Sequence, residues 1–268
     1  MAPNNNRDRI SNLPDSPLSR PFVFYRSPWD PIHVNSCLCA AIARGQRLVL
    51  ARSLFSCTTL VVLILGLDIL TDPPPASSTI ALLSLKTLHL EHVKYANEEA
   101  FGRLLSGCPL LQNFFLTAFG LKCTNLKSLF RLCGLIMMFH NLALMNLIVS
   151  SCNKHDILGL LEGAPNLEEF VLAQPCPPLF PDEQRNVRWP PDVPKCLSSC
   201  LTTFHFEEFR WSKDELELIR YLLKSTRFLK KITITSKPPD SEEKFNLLKE
   251  LLMFSRHSRT CKIAFVND

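Results

Sequence analysis

The sequence predicts an α/β fold: a solenoid in which a curved parallel sheet is backed by helices, with a smaller α+β unit at its C-terminal end. Three observations carry this expectation. An apolar pattern recurs seven times at near-regular spacing. A Gly-[Cys/Ala]-Pro turn precedes two of the repeats at the same offset. The C-terminal segment then changes style, as the closing unit of a repeat stack must if its exposed end is to be covered.

The pattern is L-x-x-Φ-x-Φ, with Φ apolar. It reads Leu60-x-x-Leu63-x-Leu65, Leu85-x-x-Leu88-x-Leu90, Leu111-x-x-Phe114-x-Leu116 and Leu142-x-x-Met145-x-Leu147. It continues as Leu167-x-x-Phe170-x-Leu172, Leu201-x-x-Phe204-x-Phe206 and Leu229-x-x-Ile232-x-Ile234. The leading leucines stand 25, 26, 31, 25, 34 and 28 residues apart. Most steps fit the leucine-rich repeat period of roughly 20–29 residues, and the longer ones imply insertions. A half-match at Leu126-x-x-Leu129 fails at Arg131. Gly107-Cys108-Pro109 leads into Leu111, and Gly163-Ala164-Pro165 into Leu167. There proline ends a helix and the chain restarts as a strand. Helices are expected at Asn97–Leu105 and Asp156–Glu162. One such unit cannot bury its apolar face alone, whereas stacked neighbours share a continuous core.

The two ends differ from the middle. Prolines at 3, 14, 17, 21, 28 and 31 argue against ordered packing up to about Gln46, apart from a short helix at Val34–Ala43. After a proline-rich loop at 175–181, Ser212-x-x-Glu215 reads as a capping box opening a helix of about Lys213–Thr226. Leu216, Ile219, Leu222 and Leu223 fall on one face of it. A last helix is expected from Pro238-Pro239-Asp240 to about Phe254, then a closing strand over Cys261–Val266.

Composition narrows the function classes. The 268 residues are 46% hydrophobic, and 30 Lys and Arg against 25 Asp and Glu give a net charge of +5. The basic residues look scattered along the chain, which argues against a nucleic-acid footprint. The apolar run Leu60–Leu65 is far shorter than the ~20 residues a membrane helix needs. Neither a G-x-G-x-x-G nor a G-x-x-x-x-G-K-[ST] motif occurs among the 8 glycines. The 11 cysteines form no C-x-x-C; the close pairs Cys37/Cys39 and Cys196/Cys200 lack further ligands at finger-like spacing. With no apolar signal region in Met1–Ser19, reduced thiols in a cytoplasmic or nuclear protein are expected.

No residue set reads as catalytic. His89-x-x-His92 beside Glu91 is short of zinc ligands and reads as solvated histidines. Cys152, His155 and Asp156 lack an oxyanion signature, and the pairs Asp214/Glu215 and Glu242/Glu243 complement helix dipoles. No enzyme activity, cofactor or metal is therefore expected. The informative positions are the outward residues of the repeat strands, which would line a concave face. They are Lys86, His89, Gln112, Asn113, Phe115, Asn146, Glu168, Glu169 and Val171. Exposed Phe115 and Val171 amid polar neighbours suggest a protein-binding surface.

Three blocks resemble the plant F-box/FBD/LRR-repeat family. Arg7-Asp8-Arg9-Ile10-Ser11-Asn12-Leu13-Pro14-Asp15 looks like the opening of its F-box. Leu54–Leu63 and Leu83–Leu90 look like its first repeats, and Trp189–Phe265 like its FBD domain. The resemblance implies an F-box remnant at 1–20, an irregular linker at 21–47, leucine-rich repeats at 48–186 and an FBD-like α+β domain at 187–268. It also implies a role as substrate receptor of an SCF-type ubiquitin ligase, docking on a Skp adaptor and cullin through the F-box. After Asp15 the family's apolar helices are replaced by Ser16-Pro17-Leu18-Ser19-Arg20-Pro21, so the expected protein lacks a working F-box. It would bind an unknown target protein and neither nucleic acid nor membrane. A stand-alone LRR/FBD scaffold or a non-functional truncated product are the alternatives, and an enzyme a more distant one.

Overall fold

The computed structural model describes residues 22–24, 55–65, 70–71, 80–91, 93–95, 98–118, 139–149, 154–173, 192–236 and 248–267. The N-terminal block Arg7–Asp15, the helix at Val34–Ala43, the half-repeat at Leu126, the pair Cys37/Cys39, and His92, Cys152 and Glu242/Glu243 lie outside them. Two compact units divide the chain, Met1–Phe115 and Leu116–Asp268.

In the first unit, β1 (Phe22–Phe24), β2 (Val62–Leu65) and β4 (Thr87–Glu91) are adjacent parallel strands. β3 (Leu70–Thr71) and β5 (Lys94–Tyr95) form a separate parallel pair, and α1 (Glu98–Ser106) follows. β1 falls in the stretch expected to be irregular. A proline-flanked segment with three successive apolar or aromatic residues can still add to a parallel edge, where only alternate amides are needed. β6 spans Asn113–Ala118.

The second unit holds β7 (Leu144–Val149), α2 (Lys154–Gly163), β8 (Glu169–Ala173), α3 (Lys195–Ser199), β9 (Thr203–Glu207), α4 (Lys213–Ser225), β10 (Lys231–Ser236) and β11 (Lys262–Asn267). Residues 248–253 are helical as well. Strands β7 to β11 are parallel and adjacent in chain order. Each crossover is long enough to carry the chain back along the sheet, as parallel pairing demands.

The apolar pattern is the core. All twenty-one motif positions, three in each of seven repeats, are buried to 4% exposure or less. Alternation puts Leu88 and Leu90 on the core face and His89 on the other, and the same holds along every repeat strand. Main-chain bonds set the register in the same way at four of the described steps. The carbonyl of Lys86 accepts N–H from both Gln112 and Asn113, that of Ala143 from Glu168 and Glu169, that of Glu168 from Thr202 and Thr203, and that of Thr202 from Lys230 and Lys231. A tight turn precedes the leading leucine: Leu111 N–H donates to Cys108 O and Leu167 N–H to Ala164 O.

The Gly-x-Pro lead-in has a steric cause. The Gly107 carbonyl accepts the Leu82 N–H, drawing the two loops together. A Cβ at Gly107 would overlap the Ile80 side chain and stand 3.0 Å from its carbonyl oxygen. The Gly163 carbonyl accepts the Phe139 N–H in the same way.

Helix α4 begins where its capping box predicts. Ser212 Oγ accepts the Glu215 N–H at 3.3 Å, and a Glu215 carboxylate oxygen accepts the Ser212 N–H at 2.9 Å and the Arg210 N–H at 3.1 Å. Its apolar face, with Leu216, Ile219, Leu222 and Leu223, is buried. Between β9 and α4 an aromatic cluster joins Phe206, Phe209, Trp211 and Phe265, with successive ring centroids 5.0, 5.0 and 6.1 Å apart. Glu208 and Trp211 adopt left-handed backbone conformations (φ 57° and 65°), an uncommon strain that the packed rings hold in place.

Candidate partner-binding face

The outward positions predicted from the repeat pattern fall into two sets, one in each unit. In the first unit Lys86 and Gln112 are exposed just ahead of their strands. His89 is half-buried in mid-β4, with its ring centroid 5.4 Å from that of Phe115 and the rings inclined at 39°. Burial holds the His89 imidazole below its ordinary pKa, and Glu91 opposes that shift by favouring the charged form. Asn113 Nδ2 donates to Thr87 Oγ1 at 3.2 Å, tying adjacent strands on this face. Phe115 is thus not the freely exposed anchor expected, because His89 covers part of its ring.

In the second unit, parallel register sets Asn146, Val171, His205, Thr233 and Ala264 in one row across five strands. Glu168 is exposed ahead of β8. Glu169 Oε1 lies 3.7 Å from His205 Nε2. Val171 was expected to be exposed, and here the expectation fails: it is 8% exposed. Its short branched side chain sits in register between the longer Asn146 and His205, at the spacing where cross-strand neighbours shield a small side chain on the pleated surface. Ala173 sinks in the same way between Ile148 and Glu207.

Two polar atoms stand out in this row. Asn146 Oδ1 and Thr233 Oγ1 are buried and have no hydrogen-bond partner among the described residues. A buried polar atom left unpaired costs roughly 1–3 kcal/mol. His205 and Thr233 escaped the sequence reading, although both occupy x positions of the repeat pattern. Their signal was the register itself, which becomes visible only when the strands are aligned side by side.

The Cys108 and Cys196 thiols are buried and pushed up to about 12, so they are poor nucleophiles at neutral pH. Cys108 Sγ donates to Leu104 O, and Cys196 Sγ to Leu161 O. Among the described residues no group of three or more His, Cys, Asp or Glu is placed to hold a metal ion. Among them, too, no helix is long and apolar enough to cross a membrane.

Comparison with known proteins agrees with this architecture. The FBD family model matches residues 190–234, and a leucine-rich-repeat family model matches residues 84–109. A probable FBD-associated F-box protein of Arabidopsis thaliana is 26% identical, with 82% of this chain and 72% of the relative covered. An F-box/FBD/LRR-repeat protein of the same plant is 27% identical, with 85% of this chain and 70% of the relative covered. A third, a putative F-box/FBD/LRR-repeat protein, is 31% identical over 48% of this chain and 31% of its own length. The chain is an α/β protein with a parallel repeat sheet and an FBD segment, similar over most of its length to plant F-box/FBD/LRR-repeat proteins.

Proposed function

We propose that this chain is the target-gripping part of a protein-interaction receptor, resembling the substrate-recognition portion of an SCF-type ubiquitin ligase receptor. The observation that carries the reading is the unsatisfied row on the outward face. Asn146 Oδ1 and Thr233 Oγ1 lack partners, beside the buried Val171 and the His205–Glu169 pair. A partner peptide whose docking turns the Asn146 and Thr233 side chains outward and pairs them would remove that penalty on binding. In a curved stack such a row lines the concave side, which is where this reading puts the target. The cytoplasm or nucleus, where targets of ubiquitin ligation are met, is the compartment it implies.

The departure from the F-box pattern after Asp15 favours a second reading, a stand-alone LRR/FBD scaffold that competes with intact relatives for shared targets. One parallel pull-down separates the two. This chain and an intact-F-box relative are each tested for retention of a plant Skp adaptor. Retention by both supports the ligase receptor, and retention by the relative alone supports the scaffold. Reversal of Glu168 and Glu169 to lysine, with Asn146→Ala, should weaken capture of any target found. Unchanged affinity would remove this face from the proposal.

A further inference from the structure

Folding gathers basic residues that look scattered in the sequence. No Asp or Glu occurs from Leu218 to Pro239 or from Leu251 to Asn267. These stretches meet at one corner of the second unit. His257 N–H donates to Leu223 O at 2.9 Å, Ser258 Oγ to Leu229 O at 2.6 Å, and Lys262 N–H to Lys230 O at 2.9 Å. The loops entering β10 and β11 are thereby locked side by side. They carry Arg227, Lys230, Lys231, Arg256, Arg259 and Lys262, all exposed except the half-buried Arg256.

None of these six side chains makes an ion pair with a carboxylate among the described residues. Glu250 is engaged by Arg220 at 3.1 Å. Glu168 stands just ahead of a strand two places away, since Thr202 N–H reaches the Glu168 carbonyl and Lys230 N–H the Thr202 carbonyl. Two strand spacings are about 10 Å, close to a Debye length at physiological salt, so Glu168 does little to neutralise the corner. Phe228 stands 49% exposed in the same loop, with the Arg227 guanidinium 5.6 Å from its ring centre. Like charges with no paired carboxylate among the described residues, around an exposed ring, form a site that attracts an anionic, partly apolar ligand.

The neighbouring strand indicates which class of anion. β11 pairs with β10, and no described strand lies on its other side. Because the Lys262 N–H faces β10, alternation turns the backbone N–H and C=O groups of Ile263 and Phe265 away from it. An added polypeptide strand can satisfy those groups, whereas a phosphodiester backbone cannot do so in register. We propose that the corner formed by the loops before β10 and β11 binds an acidic, extended segment of a partner protein, which adds as a strand beside β11. This site adjoins the end of the outward row at Ala264 but shares none of its residues, and it rests on the basic loops and the β11 edge rather than on the unpaired Asn146 and Thr233 atoms.

The test uses the full chain and a fluorescein-labelled peptide of alternating Glu and Val, read by anisotropy. The same peptide with Gln for Glu, and a labelled single-stranded oligonucleotide, run beside it. Binding of the Glu peptide should weaken as salt rises. It should fall at least about threefold in the Lys230→Gln/Arg259→Gln/Lys262→Gln variant, since one exposed pair contributes about 1.4- to fivefold. The three positions are exposed, so an unchanged melting curve is expected for that variant. Amide exchange on the unsubstituted protein gives a second readout: the Ile263 and Phe265 amides should slow when peptide is present. Equal binding of the Gln peptide, tighter binding of the oligonucleotide, or unchanged exchange at 263 and 265 would overturn the proposal.

Discussion

Replacing Phe204 with alanine removes a fully enclosed ring from β9. The ring sits 5.5 Å from that of Phe170 on β8 and 6.0 Å from that of Phe206 on its own strand. Truncation of a buried phenylalanine costs about 3–5 kcal/mol, combining the lost transfer energy with the cavity left behind. The upper half of that range applies, because two aromatic pairs are lost as well and each adds about 0.5–1.5 kcal/mol. With a urea m-value near 3 kcal/mol per molar, a loss of about 4–5 kcal/mol lowers the unfolding midpoint by about 1.3–1.7 M. Thr203→Ala, on the opposite face of the same strand, should shift it by less than about 0.2 M, as surface changes stay within about 0.5 kcal/mol. Both midpoints are read by circular dichroism with the m-value checked for constancy. Comparable shifts in the two variants would refute the assignment of Phe204 to the shared repeat core and of Thr203 to the outward face.

Gly107→Ala should destabilise by about 1–3 kcal/mol, because the new methyl meets Ile80 where the loops are drawn together; a melting temperature equal to the parent's would count against that close approach. Glu215 has its pKa raised chiefly by burial, against the lowering effect of its bonds to Ser212 and Arg210. A raised folded-state carboxyl pKa favours folding below the ordinary Glu value, and the benefit is lost as pH rises through the raised one. Glu215→Gln should therefore gain on the parent in melting temperature as pH climbs from about 4 to 7, and an advantage that shrinks over that range would contradict the sign. The His89 imidazole should titrate below its ordinary value by NMR, and Phe115→Ala, by exposing the ring, should move it back upward. An unmoved midpoint would mean that Phe115 does not contribute to its burial.

The repeat core was legible in the sequence because burial there depends on residue type and spacing alone. Leu60 to Ile234 needed no knowledge of neighbours to be placed, and α4 announced itself through Ser212 and Glu215. The outward face was less legible. Val171 belongs to the right strand and side, yet its exposure depends on its cross-strand neighbours Asn146 and His205, which lie 25 and 34 residues away in sequence. The basic corner was illegible for the same reason. Arg227 and Arg259 look isolated until the Ser258–Leu229 bond sets their loops side by side.

The shared carbonyl at each strand entrance has an implication for how such chains diversify. The Glu168 carbonyl receives Thr202 and Thr203 across a spacing of 34 residues between leading leucines (167 to 201), just as the Ala143 carbonyl receives Glu168 and Glu169 across 25 (142 to 167). The sheet thus advances by one acceptor per turn of the chain, whatever length intervenes. Connecting loops can lengthen, shorten or be exchanged without resetting the strands on either side. In an assembly of this kind, recognition can be rewritten in the loops while the frame goes on counting in the same unit.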